Sequence, residues 1–186
     1  MVLIKDISTL PTTLEEFMVW ESEDGFKYEW NDGDLIKFVG MNRKQIFIYE
    51  VLNQLFIEKG LWKTGTLICE YDVQLSGTPP GGIQMRRPDI AYYSLAQEYS
   101  MKQGEDEIPE FVIEVISGND KANKVEEKTI EYFKAGIKVL WLIYPDNQTV
   151  QVYTSLKQAQ ICTDDDICSA KPVLEDFEIR VNEIFA

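Results

Sequence analysis

The spacing of apolar residues along the chain predicts its first helices. Thr13 followed by Glu16 is typical of a capping box and opens a short helix that runs to Trp20. A longer helix is predicted over residues 43–59, because its apolar positions recur three and four residues apart, and Gly60 ends it. Its predicted apolar face consists of Ile48, Val51, Leu52 and Leu55.

Alternating and continuous apolar stretches predict the strands. Residues 67–75 alternate between apolar and polar positions and are predicted as one half-buried strand. Residues 111–116 and 139–144 are almost entirely apolar, which is typical of strands at the centre of a sheet. Further strands are predicted over residues 87–93 and 149–153.

An N-terminal hairpin is predicted from residues 28–30 and 35–38, which flank a turn of sequence Asn-Asp-Gly-Asp. Gly33 supplies the positive φ that this turn needs. Residues 77–82, rich in Gly and Pro, are predicted to form a long turn.

The C-terminal part is less regular. We predict a polar loop around residues 164–166 and a short edge element from Phe177. Strands that precede a crossover helix and a central apolar strand predict the α/β (α+β) class, with a mixed β-sheet flanked by helices. A length of 186 residues fits one domain, which we expect to span residues 1–186.

Composition narrows the chemistry. The chain contains no histidine, which excludes a Ser-His-Asp triad, a Cys-His pair and any zinc site with a His ligand. The formal net charge is −14, which disfavours non-specific wrapping of DNA. Cys69, Cys162 and Cys168 lack the spacing of a metal or redox motif and are predicted to be inert thiols in a reducing compartment.

Two features of the sequence bear on location. Charged residues interrupt the only apolar stretch near the N-terminus, so we expect no signal peptide. No run of 18 apolar residues occurs, so we expect no membrane span. A cytoplasmic protein is therefore predicted, whose chemistry depends on carboxylates, lysines, hydroxyls or metal ions.

Asp89 and Glu114 are the first candidate site residues. Glu114 interrupts an apolar strand, where a charge needs a partner unless it reaches water. Asp89 lies at the start of the preceding predicted strand. If the two strands are neighbours, the carboxylates can converge at one end of the sheet and form an oxygen site suited to Mg²⁺ or Mn²⁺.

Lys128 is the third candidate. A helix is predicted from about residue 121 to residue 135, ended by Gly136, and Lys128 lies at the edge of its apolar face beside Tyr132. Glu131 is predicted on the solvent side. Lys128 can extend to water, as isolated lysines usually do, or reach back toward the two carboxylates.

Together, these residues resemble the PD-(D/E)XK nuclease superfamily. More narrowly, the chain resembles the branch described as "putative restriction endonuclease", formerly a domain of unknown function. Each motif is short, so the resemblance rests on their order over nearly the whole chain. The matching segments are Thr13-Leu14-Glu15-Glu16-Phe17, Tyr28-Glu29 with Asp32-Gly33, Arg87-Pro88-Asp89-Ile90-Ala91, Phe111-Val112-Ile113-Glu114-Val115-Ile116-Ser117, Lys128-Thr129-Ile130-Glu131-Tyr132, Ala135-Gly136-Ile137, and Trp141-Leu142-Ile143 with Pro145.

The resemblance implies a restriction-endonuclease-like fold and divalent-metal-dependent hydrolysis of phosphodiester bonds. Asp89 and Glu114 would be metal ligands and catalytic residues, and Lys128 would be the catalytic lysine. The general pattern places a lysine two residues after the glutamate, where this chain has Ile116; in this branch the lysine is displaced to the following helix.

Two further features concern residues that could surround these three side chains. Many members of the branch have a histidine near the start of the second helix, and Lys44 lies near that place here. Glu29 and Glu70 are further candidate carboxylates without an assigned role.

Nucleic acid, with DNA as the expected substrate, is the implied partner. Lys44, Arg87 and Lys124 are the predicted nucleic-acid-binding residues, in a basic cleft on an acidic body. The alternative is that these are ordinary solvated charges. Further basic residues near the predicted site elements are Arg43, Arg86, Lys121 and Lys128.

Two other functions stay open. The chain could be a catalytically silent protein-interaction or nucleic-acid-binding module on a nuclease fold, because fold alone does not determine activity. It could also form a homodimer through Trp141, Tyr144, Tyr153 and an edge strand, which is compatible with nuclease action on two strands.

Overall fold

The computed structural model describes residues 10–75, 82–118 and 120–186. Most of the turn predicted over residues 77–82 lies outside these ranges. The elements are α1 (Leu14–Val19), β1 (Lys27–Asn31), β2 (Asp34–Phe38), α2 (Arg43–Glu58), β3 (Gly65–Cys69), β4 (Val73–Leu75), β5 (Gln84–Arg86), β6 (Ile90–Ser94), α3 (Leu95–Lys102), β7 (Phe111–Val115), α4 (Ala122–Ala135), β8 (Val139–Tyr144), β9 (Thr149–Ser155), β10 (Gln158–Thr163), β11 (Ile167–Ser169), β12 (Glu178–Arg180) and α5 (Val181–Ile184).

The main sheet has six strands in the order β10-β9-β8-β7-β6-β3. β7 and β8 are parallel, while every other neighbouring pair in it is antiparallel, so the sheet is mixed as predicted. The parallel pair lies inside the sheet, and α4 provides the crossover between its two strands. Burial on both faces explains why these two strands are nearly continuous apolar runs.

A second, four-stranded antiparallel sheet has the order β2-β1-β5-β4 and was not predicted. Its β1–β2 pair is the predicted hairpin. Asp32 and Gly33 at its tip have φ values of 50° and 98°, so both central residues take the left-handed conformation of a two-residue turn.

The single strand predicted over residues 67–75 is wrong. Glu70 has a φ of 48° and breaks the chain direction, so β3 belongs to the main sheet and β4 to the second one. The strand predicted over residues 87–93 is also shorter, because β6 begins only at Ile90. Both linking segments run side by side, with the backbone N–H of Glu70 donating to the carbonyl of Asp89 at 3.1 Å.

The helices begin and end as their capping residues indicate. The capping box of Thr13 and Glu16 is present at α1, and Gly60 and Gly136 take positive φ values after α2 and α4. Helix α3 was missed, because it starts directly after β6 at a Ser94 capping box without an intervening breaker. The C-terminal strand β10 was also missed, since only one of its residues is buried.

Two apolar clusters cover the two faces of the main sheet. Helix α2 and the C-terminal segment pack on one face, and α4 packs on the other. Trp141 belongs to the first cluster, is fully buried and stacks on Phe177 with ring centroids 5.6 Å apart. Its predicted place in a dimer interface is therefore wrong, whereas Tyr144 and Tyr153 are partly exposed.

Candidate functional site

The strand register brings Asp89 and Glu114 together. β6 and β7 are antiparallel neighbours with Ile90 opposite Ile113, so the residue before β6 lies beside Glu114. Both residues line one cavity of about 520 Å³ between α4, the second sheet and the start of α2. The backbone N–H of Val115 donates to Asp89 Oδ2 at 2.6 Å and fixes that carboxyl group against β7.

Lys128 extends from α4 into the same cavity. Its Nζ lies 2.9 Å from Glu114 Oε1 and 3.0 Å from Glu29 Oε1, and it donates to the carbonyl of Arg87 at 3.3 Å. The lysine therefore reaches back to the carboxylate of β7 instead of extending to water. The three side chains predicted as catalytic meet in one place.

Glu114 is buried, with 9% of its surface exposed, so a solvated role is excluded. Besides the ion pair with Lys128, its Oε1 accepts a hydrogen bond of 2.5 Å from the hydroxyl of Tyr132. Tyr132 lies one helical turn after Lys128 on α4, which explains why both side chains reach the same oxygen.

The second sheet supplies residues that the sequence left without a role. Glu29, on β1, accepts from the backbone N–H of Arg87 at 2.8 Å and pairs with Arg86 NH1 at 3.0 Å. Arg86, on β5, also binds Glu131 of α4 through two nitrogens, at 2.6 and 2.9 Å. Glu131 is therefore a partner in this buried network, and its predicted solvent position is wrong. Glu70, the other candidate carboxylate, instead pairs with Lys27.

Burial and neighbouring charges shift the pKa values of the site. Burial, reinforced by the charge of Glu114, raises the pKa of Asp89 to about 8. Burial also raises the pKa of Glu114, against the opposing effect of Lys128. Burial alone would lower the pKa of Lys128, but Glu114 and Glu29 outweigh it and raise that pKa. Lys128 therefore holds its proton at neutral pH.

Gln45, near the start of α2, is a site residue that the sequence analysis missed. Its Nε2 donates to the carbonyl of Val115 at 2.7 Å and lies 3.4 Å from Asp89 Oδ2. Lys44, the residue suggested by the resemblance, instead points away and pairs with Asp146 at 2.7 Å on an exposed surface. Helical spacing could have favoured Gln45, because it lies three residues before the buried Ile48.

The three predicted nucleic-acid-binding residues all have intramolecular partners. Arg87 binds Asp72 through two nitrogens at 2.6 Å each, and Lys124 pairs with Glu127 at 2.6 Å. Arg87 and Lys124 line the cavity, whereas Lys44 does not. Lys121, which also lines it, has no ion pair with any other residue in the described ranges.

The donor set fits a hard divalent cation with few protein ligands. Within residues 10–75, 82–118 and 120–186, no group of three or more His, Cys, Asp or Glu side chains is arranged to hold a metal ion. Asp89 and Glu114 nevertheless each keep one oxygen without a hydrogen bond to the described protein, and Mg²⁺ is commonly held by one or two carboxylates plus waters and phosphates. Burial, and after it the charge of Glu114, raises the pKa of Asp89, and a cation bound beside it would offset both effects.

Comparisons with known proteins support the family and the fold. The model of a family named Uma2, described as "putative restriction endonuclease", matches residues 14–182. Among solved structures, the chain is similar to a "putative nuclease belonging to DUF820" from Anabaena variabilis ATCC 29413, with a TM-score of 0.75 and 20% sequence identity over 94% of this chain and 98% of that one. A search of curated proteins found no match. The predicted restriction-endonuclease-like PD-(D/E)XK fold is thereby confirmed.

Proposed function

Because this chain belongs to the Uma2 family, which is described as "putative restriction endonuclease", we propose that it is a divalent-metal-dependent endonuclease. It hydrolyses phosphodiester bonds of nucleic acid, with DNA as the proposed substrate. Asp89 and Glu114 are its proposed metal ligands, for Mg²⁺ or Mn²⁺, and Lys128 is its catalytic lysine.

The convergence of Asp89, Glu114 and Lys128 on one cavity is the observation that carries this proposal. The surrounding network supports it through its charge. Among the described residues, Glu114, Glu29 and Glu131 form ion pairs with two cations, Lys128 and Arg86, and Asp89 is a fourth carboxylate beside them without an ion pair. A divalent cation would balance the cluster when all four carboxylates are ionised.

The chain's own groups have distinct roles in this reaction. A divalent metal, when bound, supplies Lewis acidity and a water of lowered pKa. Asp89 and Glu114 would hold it. In the metal-free site, Glu114 and Glu29 raise the pKa of Lys128 and keep it protonated; its ammonium group neutralises negative charge that develops on the phosphoryl oxygens. The side chains of Lys128 and Glu114 are 20% and 11% exposed, so few water molecules contact them.

Nucleic acid is proposed to approach over the start of α4. Lys121 and Lys124 lie there at the mouth of the cavity, where the N-terminal end of the helix also favours negative charge. Arg87 contributes a further positive charge at the opposite wall, and Lys44 lies further out.

A homodimer that acts in the cytoplasm remains part of this proposal. In the described part of the chain, no helix has the length and apolar character needed to cross a bilayer.

A catalytically silent binding module is the second candidate. The observation that favours it is the position of Lys128, whose ammonium already neutralises Glu114 and Glu29. A site with an internal cation is stable without a metal, so its carboxylates could be purely structural. Metal binding separates the two candidates.

The first test is calorimetric titration of Mn²⁺ into the wild type and into Glu114→Gln, followed by cleavage assays on DNA and RNA. We expect binding in the wild type that Glu114→Gln abolishes, and metal-dependent cleavage that Asp89→Asn and Lys128→Met reduce by at least about a hundredfold. Glu105→Gln, a change in an exposed loop, is the matched control. Equal cleavage by wild type and Asp89→Asn would exclude the proposed site.

A further inference from the structure

Lys128 is shared by carboxylates from two different sheets. Glu114 comes from β7 of the main sheet and Glu29 from β1 of the second sheet, and their Oε1 atoms lie 2.9 and 3.0 Å from Lys128 Nζ. The two glutamates are not equivalent, because their other hydrogen bonds differ. This difference suggests separate roles.

Both oxygens of Glu29 are already engaged by N–H donors, which disfavours its use as a metal ligand. Its Oε1 accepts from Lys128 and from the backbone N–H of Arg87, and its Oε2 is held by Arg86 NH1. Arg86 in turn donates two hydrogen bonds to Glu131. Glu29 is 6% exposed, and the attraction of Lys128 and Arg86 outweighs its burial and lowers its pKa. It is a fixed, ionised carboxylate that faces Lys128.

Glu114, in contrast, keeps Oε2 without a hydrogen bond to the described protein. A cation bound to Glu114 would repel the ammonium group of Lys128 and compete with it for the carboxylate. Without another anion nearby, Lys128 would leave the cavity as the metal enters. Glu29 and the carbonyl of Arg87 are the groups that can keep it there.

We infer that Glu29 is a positioning residue that retains the ammonium group of Lys128 at the site when the charge of Glu114 is neutralised by a cation. This inference rests on the proposed function and deepens it. It also gives the second sheet a role in the site, because the hairpin supplies the counter-ion of the catalytic lysine. The metal and the lysine can then occupy the site together.

The test observes the ammonium group of Lys128 by NMR in metal-free protein. The variant Glu114→Gln represents a Glu114 whose charge has been neutralised. Ammonium groups that are buried and hydrogen-bonded exchange slowly with water, so in protein with ¹⁵N-labelled lysine they give ¹H–¹⁵N signals that exposed lysines lack. The Lys128→Arg variant assigns the signal. We expect the signal to persist in Glu114→Gln and to be lost in Glu29→Gln/Glu114→Gln.

Glu114→Gln/Glu131→Gln is the matched control, because relative to Glu114→Gln it disturbs Arg86 without removing a further partner of Lys128. Its signal should persist. Loss of the signal in Glu114→Gln alone, or its persistence in Glu29→Gln/Glu114→Gln, would overturn the inference. If Glu29 were purely structural, the Lys128 signal would be the same in Glu114→Gln/Glu131→Gln and in Glu29→Gln/Glu114→Gln.

If the double variant Glu29→Gln/Glu114→Gln does not fold, the same comparison can be made by adding Mg²⁺ to the wild type and to Glu29→Gln. The Lys128 signal should survive saturation with Mg²⁺ in the wild type and disappear in Glu29→Gln. Loss of the signal in the wild type, or its survival in Glu29→Gln, would contradict the inference. The cleavage assay is independent of these spectra. Spectra as expected without any cleavage would remove the nuclease proposal and leave the role of Glu29 intact.

Discussion

Glu114 is surrounded by apolar neighbours on β7, yet its carboxylate is buried. Its burial is possible because Lys128 and Tyr132 reach the same oxygen from α4. Removal of one partner from such a buried pair costs about 3–5 kcal/mol, whereas a pair on the surface contributes about 1 kcal/mol or less. Because the desolvation of two buried charges can exceed their mutual attraction, such a pair adds little net stability. Buried charges of this kind are typical of functional sites.

Asp89 gives a prediction for the pH dependence of stability. In metal-free protein its pKa is raised, by burial and by Glu114, from its ordinary value of 3.8 to about 8. The folded state then binds the proton more tightly than the unfolded state. The stabilising contribution of the protonated group is complete below pH 4 and is lost as the pH rises toward about 8.

Urea unfolding of wild type and Asp89→Asn in the presence of a chelator measures this effect. We expect the wild type to lose stability relative to Asp89→Asn as the pH rises from about 5 to about 8, and the difference to level off above that range. In a Glu114→Gln background, this difference should level off at a lower pH, because the pKa of Asp89 falls when the negative charge of Glu114 is removed. A difference that is constant across this pH range would contradict the prediction.

At the scale of elements, the links between the two sheets position the site. The chain crosses from the main sheet to the second sheet after β3 and returns before β6. The return link carries Asp89, while Glu29 lies in the middle of β1 and Arg86 at the end of the neighbouring strand β5. The site is therefore assembled where two sheets and α4 meet, so the packing of β3 against β6 supports it indirectly.

Gly65 tests that packing. A Cβ atom at this position would lie 2.1 Å from the carbonyl oxygen of Tyr93 and 2.8 Å from Ser94 Cα, and both are backbone atoms that cannot move alone. We expect Gly65→Ala to lower the free energy of unfolding by about 1–3 kcal/mol. In the control variant Gly118→Ala, the new Cβ would be 4.0 Å from Asp146 Oδ2. Equal stability of the two variants in urea unfolding would show that β3 pairs differently.

At the scale of the whole molecule, charge limits how nucleic acid can bind. The formal net charge of −14 repels a polyanion, and several of the basic side chains near the cavity are already paired with carboxylates. Binding therefore depends on a small number of local contacts around the cavity mouth. Affinity should be modest and should fall with salt.

Lys121 is expected to provide one of these contacts, because it lines the cavity without an ion pair to the described residues. Lys121→Met should weaken nucleic-acid binding and reduce the slope of log K against log salt by about 1. Fluorescence anisotropy with a labelled duplex at several salt concentrations measures both quantities.

The control is Lys63→Met. Lys63 follows the far end of α2, whose 16 residues span about 24 Å from the end that borders the cavity. Its replacement should leave the salt slope unchanged. Equal effects of the two variants would indicate that binding is non-specific and spread over the surface.

Much of the fold follows from the sequence by itself. Continuous apolar runs predict β7 and β8 as central strands, and 3.6-residue periods with glycine ends predict α2 and α4, because these patterns reflect local geometry and burial. The exceptional position of Glu114 also follows from the sequence, since a charge inside such a run requires a partner. Asp89 was predicted from its place at the start of a strand and Lys128 from the edge of an apolar helix face, and the family resemblance implied a role for both.

The tertiary structure alone decided which groups meet. Alternation continues from Leu67 to Leu75 although Glu70 turns the chain into another sheet, because both halves bury every second residue. The partners of Lys128 lie far apart along the chain; Glu29 carries no local signal of its role, and helical spacing places Gln45 on the buried face of α2 without showing that it contacts Asp89. Local patterns record how each segment is buried, whereas a site depends on long-range packing that brings separate segments into contact.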